Sequence, residues 1–195
     1  MCSPTLARGS SSPTIRGETG DAHIIRIHEN DRSYGDCTAA AASAATPTYF
    51  DPAVVSGEIS DQIFVDGGLW SNSPVLPAVA EAVGNLRVPI ERIDVLNIGT
   101  LRAAYSFSNA LGKGKAAWAK PELDFCLVAQ ETGAEKLATN LLGPTRFLRI
   151  DQQPAQEIKL DDTSAIDDLR RIGQEVAEDT SAKCARDSSM ACRHQ

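Results

Sequence analysis

The stretch that most constrains this chain is Ile63-Phe64-Val65-Asp66-Gly67-Gly68-Leu69-Trp70-Ser71-Asn72-Ser73-Pro74. Its first residues, together with Gln62, read as a buried strand over 62–66. Gly67 and Gly68 then allow a sharp turn with positive φ and close approach of other groups. Ser73 is placed to cap a helix, and Pro74 fits the first helical turn, where its missing N–H costs nothing. Val75, Leu76, Val79, Ala80, Val83 and Leu86 follow on one helical face. A strand feeding a helix through two glycines puts Asp66 at the strand's carboxyl end, where α/β sheets collect ligands. The free N–H groups of a helix start lie close by. Such a frame can hold a catalytic carboxylate, although Asp-Gly pairs are also among the commonest simple turn signals.

Elsewhere strand-like and helix-like segments alternate. Residues 23–28 and 92–98 read as strands, as do 146–150. The alanine run Ala39–Ala45 favours helix and is stopped by Pro47. Residues 103–142 read as mainly helical, broken around Gly112-Lys113-Gly114 and near Pro121. Ile166, Leu169, Ile172 and Val176 mark a last amphipathic helix. The alternation predicts an α/β fold with a small, mainly parallel sheet flanked by helices. Residues 1–20, rich in Ser, Pro, Thr and Gly, are expected to form a disordered leader. A single domain over 21–180 and a flexible tail over 181–195 complete the expected organisation.

The net charge of −7, from 19 basic and 26 acidic residues, excludes the concentrated basic face that a nucleic-acid partner requires. Five widely spaced cysteines without a C-x-x-C pair do not form a disulfide framework, which predicts a reducing, cytoplasmic setting. No run approaches the ~18–20 apolar residues of a membrane-spanning helix.

The surroundings of Asp66 add specificity. Asp66, Gly67, Gly68, Asn72 and Pro74 follow a strand in the order found in the aspartate motif of patatin-like phospholipases, which this segment resembles. Upstream, Ala41-Ala42-Ser43-Ala44-Ala45-Thr46-Pro47-Thr48-Tyr49-Phe50-Asp51-Pro52 is similar to the small-residue helix and Pro-aromatic stretch that precede that motif. Downstream, Val95-Leu96-Asn97-Ile98-Gly99-Thr100 resembles the family's next strand and Gly-Thr turn, with Leu101 where a second glycine is common. The resemblance covers 37–100, is weaker over 144–180 and is absent from 1–20. It implies a partial patatin-like three-layer fold, the second half of a catalytic domain. It also implies a lipid or phospholipid ester substrate with peripheral membrane contact, and a Ser-Asp dyad in which Asp66 accepts the serine proton. Gly67, Gly68 and Asn72 would support that motif. No metal or organic cofactor is implied.

The family's nucleophile sits in G-x-S-x-G, and its oxyanion loop in a G-G-x-R-G type run. Neither pattern occurs in these residues. Ser10, Ser11 and Ser12 are expected in coil, Ser33 in a turn and Ser43 in a helix, so none occupies an elbow. The chain is therefore expected to be inactive alone. A non-catalytic binding or regulatory module, or a truncated gene product, is the alternative reading. An absent elbow strand would leave a sheet edge exposed, which predicts self-association.

Weaker signals have plainer explanations. The Gly112–Gly114 run has no strand before it and reads as a helix break. Asp161, Asp162, Asp167 and Asp168 complement a helix dipole. Cys184, Cys192 and His194 lack zinc-ligand spacing. Phe107, Trp118, Leu123 and Leu127 read as core.

Overall fold

The computed structural model describes residues 10–27, 36–56, 60–101, 122–154, 158 and 162–186. Instead of the single domain expected over 21–180, the chain divides into two compact units. Described residues of 1–94 and 112–146 form the first, and those of 95–111 and 147–195 the second.

The first unit holds strands β1 (Ser10–Arg16), β2 (Ala22–Ile27), β3 (Ala53–Val55) and β4 (Gln62–Asp66). Its helices are α1 (Asp36–Ser43), α2 (Gly68–Ser71), α3 (Val75–Gly84) and α4 (Glu122–Leu142). The strands form one sheet in the order β2-β1-β4-β3, with every pairing antiparallel. In the second unit, β5 (Val95–Ile98) and β6 (Phe147–Ile150) pair in parallel, and helix α5 spans Ile166–Arg186.

The α/β class holds, with helices around small sheets, but the mainly parallel pairing does not extend to the larger sheet. The reason is local. Only residues 17–21 join β1 to β2, and a parallel connection needs a dozen or more residues. That turn closes through Arg16 N–H to the Asp21 carbonyl (2.9 Å) and Gly20 N–H to the Arg16 carbonyl (2.8 Å), with Gly20 at φ 75°.

Over its described residues, from Ser10 on, the leader expected over 1–20 is overturned, since Ser10–Arg16 lies inside the sheet as β1. Its Ser, Pro and Thr content hid it, because backbone pairing on both sides needs few apolar side chains. Pro13 is tolerated for a geometric reason. A strand residue points its nitrogen and its carbonyl to the same side, so the missing N–H faces the side where the Pro13 carbonyl accepts the Ser43 hydroxyl (2.7 Å). That side lies just past Thr14↔Asp66, the last residue pair of β1 with β4.

The core of the unit joins Ile25, Ala39, Ala42, Val55 and Phe64, with Ala53 packed against it. Ala39, Ala42 and Phe64 are wholly buried, so the alanine face of α1 and Phe64 share one core. On the far side of the sheet order, Arg26 of β2 donates Nε and Nη2 to the two oxygens of Glu81 on α3, at 2.7 and 2.6 Å. This fork is geometrically specific and stronger than a neutral pair. Asn85 Nδ2 adds a bond to Glu81 Oε2 at 2.6 Å. The Glu81 carboxylate accordingly holds the Arg26 guanidinium above its ordinary pKa.

Helix α3 starts one residue later than Ser73 capping would give. Pro74 is its N-cap residue, without a side-chain cap bond, and Ser73 is instead buried. Helix α5 runs on to Arg186, past the tail expected from 181, and is preceded by a short helical turn at Thr163–Ala165. Asp162 caps that turn by accepting the Ser164 N–H (3.0 Å) and hydroxyl (2.6 Å), which accounts for an acidic residue at that helix start. No helix among the described residues is long and apolar enough to cross a membrane. The Gly112–Gly114 run and the side chains of Phe107, Trp118, Leu123, Cys184, Cys192 and His194 lie outside the described residues.

His23 on β2 gives the first unit a pH dependence. Its ring stacks on Phe64 at 5.7 Å between centroids. Burial, and then the positive charges of Arg16 and Arg26, push its pKa below the ordinary imidazole value of 6.5. The folded state therefore binds fewer protons than the unfolded one just below that value, so stability falls with falling pH. The contribution is complete above about pH 6.5 and is lost as pH falls toward the lower folded-state pKa. Thermal midpoints at about pH 7.5 and about pH 5.5 should show a smaller drop in His23→Phe, which keeps the stack and cannot titrate.

Candidate active site

Asp66 closes β4, paired with Thr14 of β1. The backbone leaving the strand is gripped by the end of α1. Asp66 N–H donates to the Ala45 carbonyl (3.1 Å) and Gly67 N–H to the Ser43 carbonyl (3.3 Å). The Ser43 carbonyl is one that a helix end leaves without an intrahelical partner, and Ala45 follows just past that end. The Asp66 side chain is half-buried and fixed at both oxygens. Oδ1 accepts the Gly68 N–H at 2.7 Å, an Asx-type turn, and Oδ2 accepts the Thr46 hydroxyl at 2.6 Å.

The diglycine is required for space rather than for a positive φ, which corrects the sequence expectation. Gly67 has φ −68° and ψ −21°, ordinary helical values, and Gly68 has no positive φ either. A Cβ on Gly67 would stand 2.0 Å from the Pro13 carbonyl oxygen. On Gly68 it would stand 3.1 Å from Asp66 Oδ1 and 3.3 Å from Asn72 Oδ1. Asp66, Gly67 and Gly68 lie at the junction of β4 and α2, and Asn72, at the far end of α2, comes close to Gly68.

Helix α2 is then tied down from two directions. Trp70 Nε1 donates to the Thr14 carbonyl (2.9 Å). From α4, Gln130 donates Nε2 to the Trp70 carbonyl (2.7 Å) and accepts the Asn72 N–H on Oε1 (2.9 Å). Asn72 Nδ2 reaches Glu131 Oε2 at 3.3 Å. Thr46, Gln130 and Glu131 were not singled out from sequence. Only Thr46 carried a signal, since Pro47 ends the alanine helix and leaves Thr46 at that helix's exit.

The serines do not complete the site. Ser10, Ser11 and Ser12 lie on β1 rather than in coil, and the Ser43 hydroxyl braces Pro13. Ser33 lies outside the described residues, as do His28 and His194. Among the described residues, Thr46 and Gly68 are the groups that donate to Asp66. No group of three or more His, Cys, Asp or Glu among them could hold a metal ion. A carboxylate fixed by two donors, with spare acceptor capacity on each oxygen, can accept a further proton donor.

The Thr46 contact is testable by itself. Thr46→Val removes a hydrogen bond to a half-buried carboxylate and should cost about 2 kcal/mol, while Thr46→Ser should retain most of the stability. Urea unfolding of the three proteins measures both effects.

Residues 7–79 match the sequence model of the family described as patatin-like phospholipase. The match starts before β1, upstream of the 37–100 segment that carried the resemblance, so residues 7–20 of the segment read as a leader belong to the matched region. A cGAMP-activated phospholipase of Vibrio cholerae serotype O1 is 26% identical over 203 residues, covering 88% of this chain and 55% of that protein. The chain thus spans about half the length of that relative. No solved structure matches the chain. From β1 into α3, with Asp66 and its turn inside the match, residues 7–79 are similar to the patatin-like phospholipase family.

Proposed function

We propose that this chain supplies the carboxylate of a serine–aspartate acyl hydrolase acting on lipid esters, phospholipids among them. The observation that carries the reading is the Asp66 carboxylate at the end of β4, held by the Gly68 N–H and the Thr46 hydroxyl inside the patatin-like region. In this reading Asp66 accepts the proton of a serine hydroxyl as its oxygen attacks the ester carbonyl carbon. The tetrahedral oxyanion collapses, the alcohol leaves with a proton, and water then hydrolyses the acyl-enzyme. No histidine is needed, because Asp66 itself is the proton acceptor. Gly67, Gly68 and Asn72 keep the carboxylate in register with the strand end.

The serine in G-x-S-x-G and the glycine-rich donors for the oxyanion are not among the 195 residues. The reading therefore requires them from elsewhere in the natural protein or from a partner. That requirement favours a second reading, a non-catalytic module in which Asp66 only closes its turn, since both of its oxygens already accept internal bonds.

Labelling the natural gene product with a fluorophosphonate separates the two. The hydrolase reading expects one serine to react, within G-x-S-x-G, and mass spectrometry to place it outside the sequence of these 195 residues. Absence of any labelled serine would leave the non-catalytic module.

A further inference from the structure

We propose that Thr46 is a positioning residue for Asp66, one that makes Oδ2 the atom taking the serine proton by turning its hydroxyl from that oxygen to the Ala44 carbonyl. The hydrolytic step rests on the serine–aspartate reading above, whereas the turn of the hydroxyl belongs to this chain alone.

The two oxygens of Asp66 are held by donors of different kinds. Oδ1 accepts the Gly68 N–H at 2.7 Å, a backbone donor whose direction is fixed by the start of α2. Oδ2 accepts the Thr46 hydroxyl at 2.6 Å, and a hydroxyl hydrogen rotates about its C–O bond. The Ala44 carbonyl oxygen lies 3.4 Å from the same Thr46 oxygen. That is too long to compete with a 2.6 Å bond to a charge. It is near enough to receive the hydrogen once the charge on Oδ2 is gone.

Thr46 makes this exchange without moving its backbone. Its N–H donates to the Ala44 carbonyl (2.8 Å), and its own carbonyl accepts the N–H groups of Tyr49 (3.2 Å) and Phe50 (3.0 Å). Branching at Cβ restricts χ1, so the hydroxyl oxygen stays in place while its hydrogen turns. The Ala44 carbonyl has a second lone pair for that hydrogen.

An ionised carboxylate only accepts, whereas a protonated one carries an O–H that must not face another donor. A proton on Oδ1 would oppose the Gly68 N–H, which cannot turn away. A proton on Oδ2 leaves Oδ1 as the carbonyl oxygen, still accepting from Gly68, and Thr46 yields. As the serine oxygen bonds the ester carbon, its O–H bond breaks and a new O–H bond forms at Oδ2. The proton then passes to the departing alcohol oxygen as the ester C–O bond breaks. The Thr46 hydroxyl swings back to the restored carboxylate, its own O–H bond unbroken throughout.

Asp66→Asn places an N–H where Oδ2 stood and so imitates the protonated carboxyl. In the 195-residue chain labelled with ¹³C and ¹⁵N, the Ala44 carbonyl carbon resonance should move downfield in Asp66→Asn, as a carbonyl does on gaining a donor. The move should be lost in Asp66→Asn/Thr46→Val and kept in Asp66→Asn/Thr46→Ser. Thr46→Ala takes the place of Thr46→Val if the latter does not fold. In the natural gene product, Thr46→Val should lower kcat for phospholipid hydrolysis about tenfold at unchanged KM, the scale of one hydrogen bond to a charged group. Thr46→Ser should restore most of that loss. An Ala44 resonance that stays put in Asp66→Asn, or moves equally without the Thr46 hydroxyl, would overturn the proposal. So would a fall in kcat of less than about threefold in Thr46→Val. A parent that hydrolyses nothing, beside an Ala44 resonance that follows the hydroxyl, would overturn the serine–aspartate reading and uphold the turn.

Discussion

Gly67→Ala is expected to unfold the first unit under mild conditions, lowering its thermal midpoint by about 10 °C or more. The added Cβ would stand 2.0 Å from the Pro13 oxygen and 2.3 Å from the Pro13 carbonyl carbon, both backbone atoms. No rotamer change can relieve such an overlap. Pro13 cannot retreat freely, because its carbonyl accepts the Ser43 hydroxyl and its neighbour Thr14 is paired with Asp66. Gly67 cannot retreat either, being bound to the Ser43 carbonyl on one side and followed by the Asx turn on the other. Steric conflict at a site this constrained belongs to the severe class, about 4 kcal/mol or more. Gly133→Ala, in α4 of the same unit, is the matched control. Its Cβ would meet nothing within 4 Å, and the change should stabilise by about 0.5–1 kcal/mol. Differential scanning of the three proteins reads both predictions.

What could be read from sequence around this site was the local part. The strand at Gln62–Asp66 matches the expected bounds, because an apolar run ended by two glycines is self-contained information. Asp66 at the strand end followed directly, as did the nearness of a helix start. Two of the partners that were missed, Pro13 and Gln130, come from far along the chain. Pro13 is the reason Gly67 must be glycine, yet it lies in a strand whose Ser-rich sequence has no hydrophobic period. Gln130 bonds the backbone on either side of Ser71 from about sixty residues away, and nothing in its neighbours marks it. The glycines were expected for the right positions and the wrong reason. A diglycine suggests an unusual φ, whereas the need for room beside a crossing backbone depends on tertiary packing. Antiparallel pairing was missed through the same strand, since omitting β1 removed the short turn that dictates it.

Asp66→Asn should abolish hydrolysis while leaving the fold intact. Asparagine has nearly the same shape. Its Oδ1 can still accept the Gly68 N–H, and its Nδ2 can donate to the Thr46 oxygen once that hydroxyl rotates. What is lost is an oxygen able to take a proton. Replacing the acidic member of a serine hydrolase site by its amide reduces turnover by about 10⁴-fold in a well-studied case where the carboxylate only orients a histidine. Where the carboxylate is itself the proton acceptor, a loss of at least about 10³-fold is a conservative expectation. The most direct measurement is fatty-acid release from phospholipid vesicles by the natural gene product, parent against Asp66→Asn, with equal thermal midpoints confirming equal folding. A fall in kcat of about 10³-fold or more is the predicted result. Hydrolysis by Asp66→Asn within about threefold of the parent, or a parent that releases no fatty acid, would contradict the role assigned to Asp66.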